Sequence, residues 1–386
     1  MANDDYEYLD VAPLETGSLQ KVVDSHLNDP EMPRRVISLD GVSGSCTLPS
    51  KVRLRLKNSG NVTINSAPGE NEIECEACGN VTIKGVTDCL IRLIRCSSVT
   101  IKGSKDCKII ITDCPTILEF NSNDSDITLR KSKVMKCNIS KCNGDIIDVK
   151  FIEKCNISKH SKITLDNCEF MLDLSVSESE VLIDDGEAKL NVNISKSIYK
   201  ISNFEIKLNL DVSESVGDVY DTEIKLNASF KDGKSSLSKI EKGCKINLNL
   251  STTDEVHELS EVEVEQVASF KGGNIRLSQC KFKKEVSLDD TQSIIDDCKI
   301  EKALSSKKGN HRWDKLEVEK ELSCNEGYYH TTNLKVTKES SFDDCTLVSA
   351  DDTYEKSFSA KLKNRNKIKR LKVKDTCSFE GDDTAR

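Results

Sequence analysis

Residues Val81–Cys89 read VTIKGVTDC, and eighteen positions later Val99–Cys107 reads VTIKGSKDC. The two nonapeptides differ only at their sixth and seventh positions. Set out in nines from Val81, the chain continues as LIRLIRCSS, VTIKGSKDC, KIIITDCPT, ILEFNSNDS and DITLRKSKV. Most blocks open on alternating apolar and polar residues and close on Asp, Ser, Asn, Gly or Lys. Alternation writes a strand with one buried face, and the closing residues write a turn.

Eighteen is the stronger period. CNISK begins at Cys137 and again at Cys155, KLN begins at Lys189, Lys207 and Lys225, and VSES recurs at Val176 and Val212. A slip of about three residues is expected near Gly243, within 243–264, after which the frame resumes at Glu265 and runs to KDTCSFEGD at Lys374. A fixed period of this length marks stacked structural repeats. The predicted fold is all-β: a right-handed parallel β-helix or solenoid, two- or three-sided, with eighteen-residue coils. Equivalent residues then lie above one another, so identical residues form columns. Cys78, Cys96 and Cys114 are expected in one cysteine ladder, and Cys89/Cys107, Cys137/Cys155 and Cys280/Cys298 in others. Asn191, Asn209 and Asn227 are expected to chain their amides.

Two other solenoids fit less well. Left-handed hexapeptide helices need an apolar anchor every six residues, whereas here the anchors Val99/Ile101, Ile109/Ile111, Leu118/Phe120 and Ile127/Leu129 recur every nine. Calcium-binding nonapeptide rolls need glycine and aspartate positions that this pattern lacks.

Composition agrees. Only 5% of residues are aromatic and 31% are charged, which is lean for one large globular core but ample for a thin column. The formal charge of −9, from 65 acids and 56 bases, gives no global case for nucleic-acid binding. The opening MANDDYEYLDVAPLETGSLQ lacks the basic and apolar regions of a secretory signal, and no apolar run reaches membrane-spanning length. The 17 cysteines are therefore expected as free thiols in a reducing, intracellular setting, cytoplasmic or nuclear.

Residues 1–35 are expected to form an acidic segment ending in a capping helix, residues 36–382 one continuous solenoid, and residues 383–386 a tail. Ser18–Leu27 carries Leu19, Val22, Val23 and Leu27 at helical spacing, with Thr16 or Ser18 as N-cap. The strand-like RRVISLDG and KVRLRLKNSGNVTIN follow. This order resembles the opening of single-stranded pectate-lyase-like β-helices, in which an amphipathic helix closes the first coil. The resemblance implies a right-handed helix and an N-terminal cap. It implies no activity, because that architecture hosts lyases, spikes, adhesins and inert scaffolds.

Several groups invite a chemical reading. Cys75 and Cys78 make the sole CxxC, which reads either as half a zinc site or as two buried fillers of a narrow column. The acid pairs Asp184–Asp185, Asp289–Asp290, Asp296–Asp297, Asp343–Asp344 and Asp351–Asp352 recur at turn phase, which suits turn chemistry better than a catalytic carboxylate pair. His311, Trp313, Tyr328, Tyr329 and His330 form the one cluster of aromatics and histidines, a candidate small binding surface or an aromatic-filled coil. Eight N-x-S/T triplets, at Asn61, Asn80, Asn123, Asn138, Asn156, Asn193, Asn227 and Asn249, follow from strand alternation and need no glycan.

The charge distribution says more. Lys356–Lys374, KSFSAKLKNRNKIKRLKVK, holds nine Lys/Arg and no acid, while residues 1–32 hold eight Asp/Glu against Lys21 alone. Lys361, Lys363, Arg365, Lys367, Lys369, Arg370 and Lys372 are the candidate interface. They read as a solvated face, as a contact with a protein partner or another copy, or as a patch for nucleic acid or an anionic membrane. No catalytic motif is recognisable, and no catalytic residue, cofactor or metal is assigned. The expected function is non-enzymatic: a scaffold or building block in a larger assembly such as a virion, shell or filament. The alternative is a polysaccharide-binding or polysaccharide-cleaving β-helix. A third reading, an acidic decoy of a nucleic-acid backbone, is disfavoured by the interspersed lysines.

Overall fold

The computed structural model describes residues 19–28, 36–66, 69–238, 244–362 and 367–380. It is a β-solenoid, 68% strand and 3% helix, with parallel pairing throughout. The chain divides into two units, Met1–Lys189 and Leu190–Arg386.

In the first unit α1 (Leu19–Leu27) buries Leu19, Val22 and Val23, the positions its spacing marks as apolar. It lies on the edge strand Gly44–Leu48. The Gln20 side chain accepts the Thr47 N–H at 2.7 Å, giving an edge amide the partner a further strand would have supplied. Gly44 sits at φ +126°, and a Cβ there would come 3.3 Å from the Leu19 nitrogen, so the helix approaches only because the residue is glycine. The acidic residues 1–18, with the caps expected at Thr16 and Ser18, lie outside the described residues.

The opening pair stacks as its spelling requires: Val81 on Val99, Thr82 on Thr100, Ile83 on Ile101 and Lys84 on Lys102. A second face carries Arg53–Lys57, Glu72–Glu76, Leu90–Ile94 and Lys108–Thr112 in parallel succession. In the second unit a coil breaks into three pieces, as in Leu322–Asn325, Tyr328–Thr332 and Lys335–Val336. Between Glu223 and Lys245, and between Ala228 and Leu250, partners are twenty-two positions apart, so the slip is four residues where about three were expected. Residues 239–243, in that stretch, lie outside the described residues.

What bends the chain is a left-handed residue at two corners of each coil. One series runs Ala77, Arg95, Asp113, Lys131 (φ +53°, +53°, +54°, +48°), and the other runs Asp88, Asp106, Asp124, Lys141. A non-glycine residue there costs about 1 kcal/mol, least for Asp and Asn, whose short side chains bond locally. Where the next residue is a buried Ser or Cys, it points inward and offsets that cost. Its hydroxyl or thiol donates to the carbonyl two positions back, as with Ser125 on Asn123 (2.9 Å), Ser215 on Ser213 (2.7 Å), Cys107 on Lys105 (3.1 Å) and Cys142 on Ser140 (3.2 Å). Cys78, Cys89, Cys96, Cys107, Cys114, Cys142, Cys168, Cys280, Cys298 and Cys345 all follow a left-handed corner and are all buried. The corners are also tied coil to coil. The N–H of Val52, Cys107, Cys142 and Ser197 reaches the side chain of Asn71, Ser125, Ser161 and Ser215 in turn.

The core of the second unit is filled by complementary pairs along one strand series. Reading inward residues coil by coil gives Ala228/Phe230, Leu250/Thr252, Ala268/Phe270, Val286/Leu288, Leu304/Ser306, Leu322/Cys324, Ser340/Phe342 and Phe358/Ala360, all buried. A large residue in one column accompanies a small one in the next, so each coil supplies nearly the same volume. Close packing requires this of a column with fixed strand spacing.

Candidate functional site

Residues 367–374 of the basic stretch lie in the last described coil, and Lys356 and Lys361 in the coil before it. Lys367–Lys369 pairs with Val348–Ala350, Lys372–Val373 with Thr353–Tyr354, and Thr376–Glu380 with Ser357–Lys361. Among the described residues none of these three strands has a partner on its other side. Lys361, Lys369, Arg370 and Lys372 are exposed. Arg370 is held by Asp351 at 2.5 Å and Lys374 by Glu355 at 3.4 Å. Lys363 and Arg365 lie outside the described residues, as does the side chain of Lys367. Phe379 leaves 44% of its surface exposed at this edge while its ring rests 5.2 Å from Phe358.

The aromatic and histidine cluster divides by strand parity. His311, Trp313 and Tyr329 are core residues, 2%, 1% and 0% exposed, so they present no surface. The His311 Nε2–H donates to the carbonyl of the left-handed Lys308 at 2.8 Å, and its Nδ1 accepts from Ser293 Oγ at 2.8 Å, the tautomer this network requires. Trp313 Nε1 donates to Ser293 Oγ at 3.0 Å, and Tyr329 stacks on the imidazole at 4.7 Å. Burial pushes His311 down to about 4, so it is neutral at ordinary pH. His257 caps the carbonyl of the left-handed Asp254 in the same way, at 2.9 Å. Ser293 and His311 thus resemble a nucleophile and base in distance, but they serve a corner.

Tyr328 and His330 face outward. With Asn274, Gln292, Asn310 and Arg312 they line a groove of about 530 Å3 on the second unit. A smaller hollow of about 220 Å3 on the first unit is lined by Asn121, Asn138 and Asn156. Their amides form a chain, Asn156 to Asn138 and Asn138 to Asn121, each at 2.8 Å. The chain expected at Asn191, Asn209 and Asn227 is present at 2.9 and 3.0 Å and extends to Asn249 at 3.1 Å.

The acid pairs sit at corners. Asp185, Asp290, Asp297, Asp344 and Asp351 have φ between +51° and +60°. Cys75 and Cys78 are both buried, and among the described residues no three His, Cys, Asp or Glu side chains are grouped to hold a metal. Burial pushes the thiols of Cys46, Cys168 and Cys345 up to about 12. No helix among the described residues is long and apolar enough to cross a membrane.

Three features escape a reading by residue type. The first is a column of nine in-register serines facing outward: Ser229, Ser251, Ser269, Ser287, Ser305, Ser323, Ser341, Ser359 and Ser378. Its trace in the sequence is a serine between two core residues, as in ASF, VSL, LSC and FSA. The second is a charge column on the shortest strands of the second unit, where Glu223, Lys245, Glu263 and Lys281 stack in order, followed by Lys299, Glu317 and Lys335. The third is Asp352, fully buried at a corner position. Its carboxylate accepts from Thr331 Oγ1 and Ser349 Oγ, each at 2.5 Å, and from the Leu334 N–H at 2.9 Å. Neither a protein-family model nor a curated protein matches the chain.

Proposed function

We propose that this chain is a non-enzymatic scaffold protein that associates with other copies through its last coil. The observation that supports this is the set of three strand edges at Lys367–Lys369, Lys372–Val373 and Thr376–Glu380, paired on one side among the described residues and ringed with lysines. An exposed parallel edge is a template for another strand, and its lysines select an acidic partner over an identical edge. The inward positions elsewhere are filled by packed side chains, many of them capping corners, which leaves the described core little room for chemistry. An assembly of shell or filament type suits a unit built to stack, and buried free thiols suit a reducing compartment. Nucleic acid or an anionic membrane is a lesser reading of the same lysines.

Sedimentation velocity across protein concentration and salt tests the proposal. Association at low salt, weakened as salt shortens the Debye length below about 10 Å, is expected. A monomer at every concentration refutes it. A second reading, binding of a linear polysaccharide, is favoured by the groove at Tyr328 and His330, where amide side chains repeat once per coil. Titration with neutral and acidic oligosaccharides, followed by the fluorescence of exposed Tyr328 against a Tyr328→Ala variant, tests it, and an unchanged signal discards it.

A further inference from the structure

The last described coil specifies a neighbour for its edge. On the third strand of each coil in the second unit, three residues repeat as charged or polar, apolar, charged or polar. Three lysines at the first position are met by a glutamate at the third position of the following coil, Lys245 by Glu265 at 3.2 Å, Lys281 by Glu301 at 3.1 Å and Lys299 by Glu319 at 2.6 Å, whereas Lys335 pairs with Glu317 of the preceding coil at 2.7 Å. The middle residue joins an inward column that accepts aromatics, since Phe282 and Tyr354 both sit in it, 0% exposed. Just before these triplets, the Asp352 carboxylate accepts the Leu334 N–H of the preceding coil.

The last described coil carries Leu371, Lys372, Val373 and Lys374 at these positions. By the same rule its next neighbour needs an acceptor opposite the Leu371 N–H, an apolar or aromatic residue over Val373, and an acid after it to meet Lys372. Residues 352–355 read DTYE, and residues 4–7 read DDYE. Asp4, Tyr6 and Glu7 therefore supply the acceptor, the inward ring and the acid, in the order and spacing that Asp352, Tyr354 and Glu355 use. The surrounding residues 1–18 carry five acids and no Lys or Arg, against a rim of exposed lysines.

We propose that Asp4–Glu7 of a second copy adds as a strand to the Lys372–Val373 edge, so that copies join head to tail. This rests on the association proposed above and names its two surfaces. Asp4 takes the role of Asp352, Tyr6 closes the apolar column over Val373, and Glu7 pairs with Lys372. Such a contact is heterologous, and its repetition gives a ring or an open chain of copies according to whether the rotation closes. Main-chain hydrogen bonds supply affinity, and the alternate side chains supply register.

The test uses two full-length variants, D5K/E7K and K372E/K374E, each confirmed folded by far-ultraviolet circular dichroism. Alone, each sets like charges against each other at the joint, and sedimentation velocity should show association weakened more than about tenfold. Mixed in equal amounts, both joints become complementary and association should return to the wild-type level. Tyr6→Pro, which keeps every charge but removes an N–H and the ring, should also weaken it. Variants that associate like wild type, or a mixture that fails to recover, overturn this joint while leaving association by another surface standing. A wild-type chain that never associates removes the scaffold proposal and the joint together.

Discussion

Asp352 offers the sharpest test of the corner argument. Its neighbours at the same corner are Leu334 and Leu371, so a carboxylate stands between two leucines. Burial raises its pKa, against the hydrogen bonds from Ser349, Thr331 and the Leu334 N–H, which favour the charged form. A raised folded value means that folding favours the protonated acid. Its contribution is therefore fully present below the unfolded value, near 3.9, and is lost as pH rises through the folded value. Asp352→Asn stays uncharged and keeps an oxygen for the Leu334 N–H, as Asn71 does for Val52 at 2.9 Å. At pH 4 this variant should match wild type within about 0.5 kcal/mol, and its relative stability should grow as pH rises. Asp352→Leu removes all three bonds. Leaving the buried N–H unsatisfied costs about 2 kcal/mol and the two hydroxyls about 1 kcal/mol each, while the added apolar burial offsets about 2 kcal/mol, for a net loss of about 2 kcal/mol at pH 4. Urea unfolding from pH 4 to 8 measures both. An Asn variant that loses ground to wild type with rising pH, or a Leu variant without cost at pH 4, refutes the reasoning.

Phe270→Ala should cost about 3–5 kcal/mol in the same assay, because a fully buried ring leaves a cavity that its small strand neighbour Ala268 does not fill. A loss below about 1 kcal/mol would deny the constant-volume account of the coils. Cys107→Ser should stay within about 1 kcal/mol of wild type, since Ser125 occupies the equivalent corner one coil on, and a larger loss would show the thiol acting as more than a corner donor. In the native state Cys377, the one exposed thiol among the described residues, should react quickly with an aromatic disulfide reagent while the 16 buried thiols wait for unfolding. Uniform fast labelling would contradict their burial.

The eighteen-residue period was legible because stacking imposes it. Parallel pairing sets each residue above its equivalent, and a residue that suits a column suits it again, as Val81 over Val99 shows. Corner chemistry was half legible. The acid pairs pointed to turns, but which acid is left-handed, and that the next side chain turns inward, depends on backbone angles that residue type does not carry. That is why Asp352 read as a solvated turn acid and is instead buried. Proximity in sequence left the cluster at His311 open between a binding surface and an aromatic-filled coil. Strand parity separates it: His311, Trp313 and Tyr329 fall on the inward phase of their strands, and Arg312, Tyr328 and His330 on the outward phase. The serine column stayed hidden because a serine in a strand is unremarkable one coil at a time and acquires meaning only in register.

A chain of near-identical coils faces a problem of identity. Its core columns hold the same kinds of residue, so a strand that skipped a coil would still bury valine on isoleucine at little loss. Charge breaks this degeneracy. Skipping the coil at Lys245 would stack Glu263 on Glu223, and skipping the one at Glu263 would stack Lys281 on Lys245, each replacing attraction with repulsion directly opposite. Each exposed pair contributes little to stability, yet the alternating run from Glu223 to Lys281 distinguishes one register from its neighbours, while Lys281 on Lys299 carries no such signal. The last described coil carries the same chemistry, where Lys372 has the charge that at Lys245, Lys281 and Lys299 is answered by a glutamate one coil on. In the proposed joint, register control within the chain and recognition between chains would be one device, applied first to the next coil and, where the described coils stop, to the next molecule.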